Sequence, residues 1–183
     1  MVDTGGKAVR PGYEKRSFFY TERASDEEGA DTRLVVWAGD PLQLQLFLDL
    51  ALSTFPQDVE VLLKWRPLDV DDDEWGHWWG RSPLALVQRT IASNVDFICR
   101  DGGHQLCLKR HDTGELIAID DHGIVFIYSD SDVFPALCRA SGFEERTDDL
   151  IFTEKHFHRN LMNADVQRHA IIRGLGLHAV DAA

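Results

Sequence analysis

Apolar residues in this chain fall into short runs broken by turn residues. The clearest set occupies 96–128, where Phe97-Ile98-Cys99, Leu106-Cys107-Leu108, Leu116-Ile117-Ala118-Ile119 and Ile124-Val125-Phe126-Ile127-Tyr128 alternate with short stretches rich in Asp, Gly and His. Runs of strand length between such turns predict a four-stranded antiparallel meander. Upstream, Phe18-Phe19-Tyr20, Leu34-Val35-Val36-Trp37 and Val59-Glu60-Val61-Leu62-Leu63-Lys64-Trp65 have the same character, so strands are expected near 17–21, 33–37 and 59–65. The acidic stretch 22–31 between the first two reads as a mobile loop.

Helices announce themselves by their starts. Asp40-Pro41 supplies a capping carboxylate and a first-turn proline, and the leucine- and glutamine-rich run that follows predicts a helix to about residue 54. Its apolar residues cover most of the circumference, which predicts burial on nearly all sides. Ser82-Pro83 repeats the device, with Leu84, Val87 and Ile91 on one stripe of a helix over 83–93. Ser129-Asp130-Ser131-Asp132 precedes a third helix over 132–141, stopped by Gly142. A strand pair is expected around 143–155, and a last helix from Ala164 to Arg173, capped by Asn163 and closed by Gly174 and Gly176. The fold class is therefore α+β: one domain over 1–183, a largely antiparallel sheet centred on the 96–128 meander, and helices packed mainly on one face, with 1–16 a loose lead-in.

Composition narrows the function classes. A chain of 183 residues can bury roughly 70% of its unfolded surface, so it needs no staples. No apolar run approaches the roughly 20 residues of a membrane span, the first residues lack the apolar core of a signal peptide, and three unpaired cysteines suit a reducing compartment. A cytoplasmic location follows as the expectation. A net charge of -12 repels a phosphate backbone, which disfavours nucleic acid as a partner. No Walker loop, dinucleotide fingerprint, nucleophile elbow, Cys-x-x-Cys pair or His-Glu-x-x-His occurs.

Two constellations carry possible chemistry. In the first, Asp71, Asp72, Asp73 and Glu74 run into Trp75, Trp78 and Trp79, forming an acidic and aromatic loop over 69–80. Large aromatics anchor interfaces and an acidic rim steers a basic partner, although the same indoles could fold inward as a cap. In the second, Glu154, His156 and His158 alternate as they would on one face of a strand, and with Asp121 they make a ligand set for zinc or another divalent metal. The 120–123 turn also pairs carboxylates with an imidazole, but Asp and Gly are what a tight hairpin itself requires. Cys99, Cys107 and Cys138 sit in apolar surroundings that favour inert thiols.

The expectation is thus a non-catalytic cytoplasmic interaction protein with no cofactor. It binds a basic protein through the acidic, tryptophan-bearing loop, much as small acidic inhibitors shield basic enzymes. The alternatives are a metal-dependent hydrolase or metal-binding protein using His156 and His158, and a small-molecule-binding domain with a pocket beneath the aromatic loop.

Overall fold

The computed structural model describes residues 16–26, 29–66, 75–147, 161 and 163–180. Among them the chain runs β1 (Phe18–Asp26), β2 (Gly29–Trp37), α1 (Pro41–Leu52), β3 (Asp58–Trp65), β4 (Gly76–Pro83), α2 (Leu84–Arg100), β5 (His104–Lys109), β6 (Leu116–Ile119), β7 (Ile124–Tyr128), α3 (Val133–Ala140), β8 (Glu144–Glu145), α4 (Ala164–Leu175) and β9 (His178–Val180). The strands make one sheet in the order β8-β1-β2-β7-β6-β5-β3-β4-β9. Every junction is antiparallel except the short β1–β8 pairing. The chain is α+β with a mostly antiparallel sheet.

Some local signals hold, while others do not: Asn163 and Asp132 precede α4 and α3 but neither side chain makes a capping hydrogen bond. The Asp40 side chain accepts the Gln43 amide at 2.9 Å and Pro41 opens α1. Gly176 closes α4 with a left-handed φ of 66°. Where two signals compete, the tertiary one wins. Residues 96–100, expected as the first meander strand, are the last turn and a half of α2. Phe97 and Ile98 are buried and continue the stripe of Val87 and Ile91 at helical spacing, while Arg100 pairs with Asp96 at 2.9 Å across one turn. Of the four expected strands, β5, β6 and β7 form, as consecutive antiparallel neighbours.

Three further expectations are corrected. Residues 22–26 and 29–31 of the acidic stretch are strand: the β1–β2 ladder continues from Glu22↔Arg33 to Asp26↔Gly29, helped by an Arg33–Glu22 ion pair at 2.6 Å. Ser82 does not cap α2, because its hydroxyl donates to the Leu175 carbonyl and ties β4 to α4. Helix α1 is not buried all round, since Leu42, Leu46 and Leu50 lie at the surface. The 1–15 lead-in and the expected strand at 150–155 lie outside the described residues.

Alternation along the strands produces two apolar clusters. Phe19, Leu34, Val36, Val125 and Ile127 join a large core with Val59, Val61, Leu63, Leu106, Leu108, Ile117 and Ile119, and all four helices send side chains into it. The residues between them, Phe18, Tyr20, Val35, Trp37 and Ile124, form a smaller buried cluster made of strand residues alone. The Arg33 and Arg146 guanidinium groups lie over Phe126 and Phe18, at 4.5 and 5.2 Å from the ring centres.

Candidate functional site

Strand register brings several chemically distinctive residues to one end of the sheet. Trp65 pairs with both Gly76 and His104, and Leu106 with Ile119 next to the β6–β7 turn. The end of β3, the starts of β4 and β5 and the 120–123 turn therefore share that end.

The tryptophans expected in a loop belong to β4, which is paired with β3 along its whole length. This sorts them by parity. Trp78 turns toward the main core and packs on Trp65, ring centres 5.0 Å apart. Its ring lies across Gly76, where a Cβ would come within 2.5 Å of it, so the glycine that looked like a loop signal makes room for an indole. Trp79, on the opposite side of the strand, is 39% exposed and meets the His178 ring edge-on at 5.4 Å. Trp75 is half-buried at the start of the strand. His77 and Lys64 are cross-strand neighbours beside Trp79, so the outer patch itself is rich in imidazole and cation. The carboxylates of Asp71, Asp72, Asp73 and Glu74 lie outside the described residues.

Beneath Trp78 sits a polar cluster that no local pattern announces. Asp101, at the end of α2, is fully buried, and its carboxylate accepts from the Arg168 guanidinium at 2.6 Å, His104 Nδ1 at 3.0 Å, the Leu161 amide at 3.0 Å and the Gly103 amide at 3.2 Å. Burial pushes the Asp101 carboxyl up, but the hydrogen bonds from His104, Leu161 and Arg168 outweigh it and bring the pKa to about 2. Arg168, equally buried, lies 5.3 Å over the Trp65 ring and also donates to Asp165, while His104 stacks on Phe97 at 4.7 Å. His104 Nε2, Arg168 Nε and Trp65 Nε1 are buried without a hydrogen-bond partner among the described residues. With no exposed reactive atom, this cluster works as an anchor. It ties α2, β5 and α4 together behind the tryptophans.

The 120–123 turn brings Asp120, Asp121 and His122 together, with one ligand atom from each within 4.8 Å of the others. Asp120 is occupied by the turn: its Oδ1 accepts from the His122 and Ile124 amides at 2.9 and 2.7 Å, and Gly123 takes a φ of 71°. His122 Nδ1 is 3.1 Å from Asp120 and 2.9 Å from Asp121. Hydrogen bonds to Asp120 and then Asp121 outweigh partial burial and raise the imidazole pKa to about 9. At neutral pH it is an imidazolium, so neither a general base nor a metal ligand until it gives up its proton. Of the expected metal ligands, Asp121 is thus found beside a histidine, though not one of the expected pair. Glu154, His156 and His158 lie outside the described residues.

Cys107 and Cys138 are unsuited to nucleophilic attack. Cys99 is on α2 instead of a strand, burial raises the Cys107 thiol, and burial pushes Cys138 up to about 12. An open cleft of about 440 Å³ lined by Thr113, Glu115, Tyr128, Ser129 and Asp130 lies at the other end of β6 and β7, away from the 120–123 turn. Its lining is polar and partly self-satisfied, with Ser129 and Arg110 both bonded to Glu115. Among the described residues no helix is long and apolar enough to cross a membrane. No protein-family model matches this chain, and neither a curated protein nor a solved structure does.

Proposed function

We propose that this chain is a non-catalytic cytoplasmic interaction protein that binds a basic protein surface through Asp71, Asp72, Asp73, Glu74, Trp75 and Trp79. The exposed Trp79 carries the reading, because a large indole is left at the surface of a rigid paired strand where it needs no ordering to bind. Trp78, expected to share that role, is reassigned to support. In this reading the helices form a supporting layer on one face, and the acidic run next to Trp75 attracts the partner. Charge of this kind acts on encounter more than on lifetime.

Surface plasmon resonance with a partner captured from the source cell tests this. Raising salt from about 0.05 to about 0.5 M, or replacing Asp71, Asp72, Asp73 and Glu74 by their amides, is expected to slow association at least tenfold. The dissociation rate is expected to change little. Association indifferent to both changes would overturn the acidic-rim reading.

A second reading, favoured by the Asp120–Asp121–His122 grouping, is a zinc or other divalent-metal site completed by Glu154, His156 and His158. Because His122 must lose a proton first, zinc affinity measured by calorimetry is expected to rise between pH 7 and pH 9 and to fall in His122→Ala. Zinc uptake that ignores both pH and this substitution would remove the 120–122 turn from the reading.

A further inference from the structure

Three polar atoms at the heart of the anchor are left over once its hydrogen bonds are assigned. They are Trp65 Nε1, His104 Nε2 and Arg168 Nε, on residues that are 7%, 1% and 0% exposed. Native interiors rarely leave such groups unmet. The three residues also touch one another in a closed ring. Trp65 and His104 are cross-strand partners on β3 and β5, both turned into the core, and side chains placed in this way start about 5 Å apart. The Arg168 guanidinium lies 5.3 Å over the Trp65 ring, and Arg168 and His104 meet on one oxygen, Asp101 Oδ2, at 2.6 and 3.0 Å.

Hydrogen-bond chemistry selects what fits among them. The Asp101 carboxylate only accepts, so His104 Nδ1 donates to it, and Nε2 of the neutral ring is left with a lone pair. The Trp65 indole and the Arg168 Nε each offer an N–H. An anion satisfies both donors but opposes the lone pair. A cation meets the lone pair but opposes the guanidinium. Water accepts twice and donates once. Charge gives the same answer, because Arg168 is matched inside the core by Asp101, while its second partner, Asp165, has a side chain 47% exposed. An added ion of either sign is left without a buried counter-charge. His169 stands edge-on to Trp65 but spends its Nδ1 on the Asp165 carbonyl at 2.7 Å.

We propose that the anchor contains an internal water site, in which one water accepts from Trp65 Nε1–H and Arg168 Nε–H and donates to His104 Nε2. That water ties β3, β5 and α4 together and holds the Trp65 ring on which Trp78 packs. Buried waters with three such bonds are integral to a fold. The site involves no partner, so it stands or falls separately from the binding surface around Trp79.

NMR on the nitrogen-15-labelled full chain tests the site, by magnetisation transfer from the water resonance to the side-chain N–H protons of Trp65 and Arg168. Laboratory-frame and rotating-frame experiments together separate proximity from chemical exchange. Both protons are expected to show NOE cross-peaks to water with the sign of a molecule tumbling with the protein, whereas the exposed Trp79 indole shows none of that sign. Cross-peaks at neither proton, or at one alone, would overturn the bridge. Shifts of both N–H resonances as sodium chloride is titrated into a chloride-free sample would also overturn it, and would assign the site to an anion.

Discussion

Asp101→Asn and Arg168→Met are each expected to destabilise the chain by about 3–5 kcal/mol, because each leaves the other member of a fully buried ion pair without its counter-charge. In a chain of this length that is a fall in melting temperature of roughly 6–20 °C. The double substitution is expected to cost clearly less than the sum, since removing both partners leaves no orphaned charge. Urea unfolding of the three variants checks this, and additive losses under about 1 kcal/mol each would refute the anchoring role. The acid limb carries the same information. The Asp101 pKa is depressed to about 2 from an ordinary 3.8, so its contribution is fully present above pH 4 and disappears as pH falls through 2. On the order of 2 kcal/mol of wild-type stability should be lost across that window and be missing from the Asp101→Asn profile.

The two adjacent tryptophans are expected to separate stability from binding. Trp78→Ala removes a ring packed on Trp65 and bordered by Gly76, and a loss of about 3 kcal/mol in unfolding free energy is expected. Trp79→Ala removes a ring that is already partly in water and should cost under about 1 kcal/mol. For a bound partner the order reverses. An indole at the centre of an interface is typically worth about 2 kcal/mol or more, so Trp79→Ala should speed dissociation by roughly thirtyfold with association nearly unchanged. Equal effects of the two substitutions on partner release would mean that parity along β4 has no functional meaning.

How far the sequence foretold this depended on the range of the interaction responsible. The Asp40-Pro41 start and the Gly176 stop act within a few residues and were readable. Strands β2 and β3 were readable from their β-branched and aromatic runs. The end of α2 was not, because Phe97-Ile98-Cys99 suits a strand and a helix equally until Val87 and Ile91 fix the helical stripe. Strand β4 was hidden by its glycines: Gly76 serves the Trp78 ring, and at Gly80 a Cβ would come within 2.9 Å of Leu177, contacts that a linear reading cannot anticipate. The Asp101–Arg168 pair joins residues 67 apart and depends on α4 returning across the end of α2. Asp101, read as a turn residue, became the centre of the anchor for reasons of topology alone. Composition singled out the tryptophans, while the division between an inward Trp78 and an outward Trp79 required the strand.

The most direct test of the interaction reading is tryptophan oxidation by N-bromosuccinimide with peptide mass mapping, applied to the free chain and to its complex with a captured partner. Trp79 should be oxidised in the free chain and protected in the complex, with Trp78 slow in both. Equal oxidation of Trp79 in the two states would contradict the account.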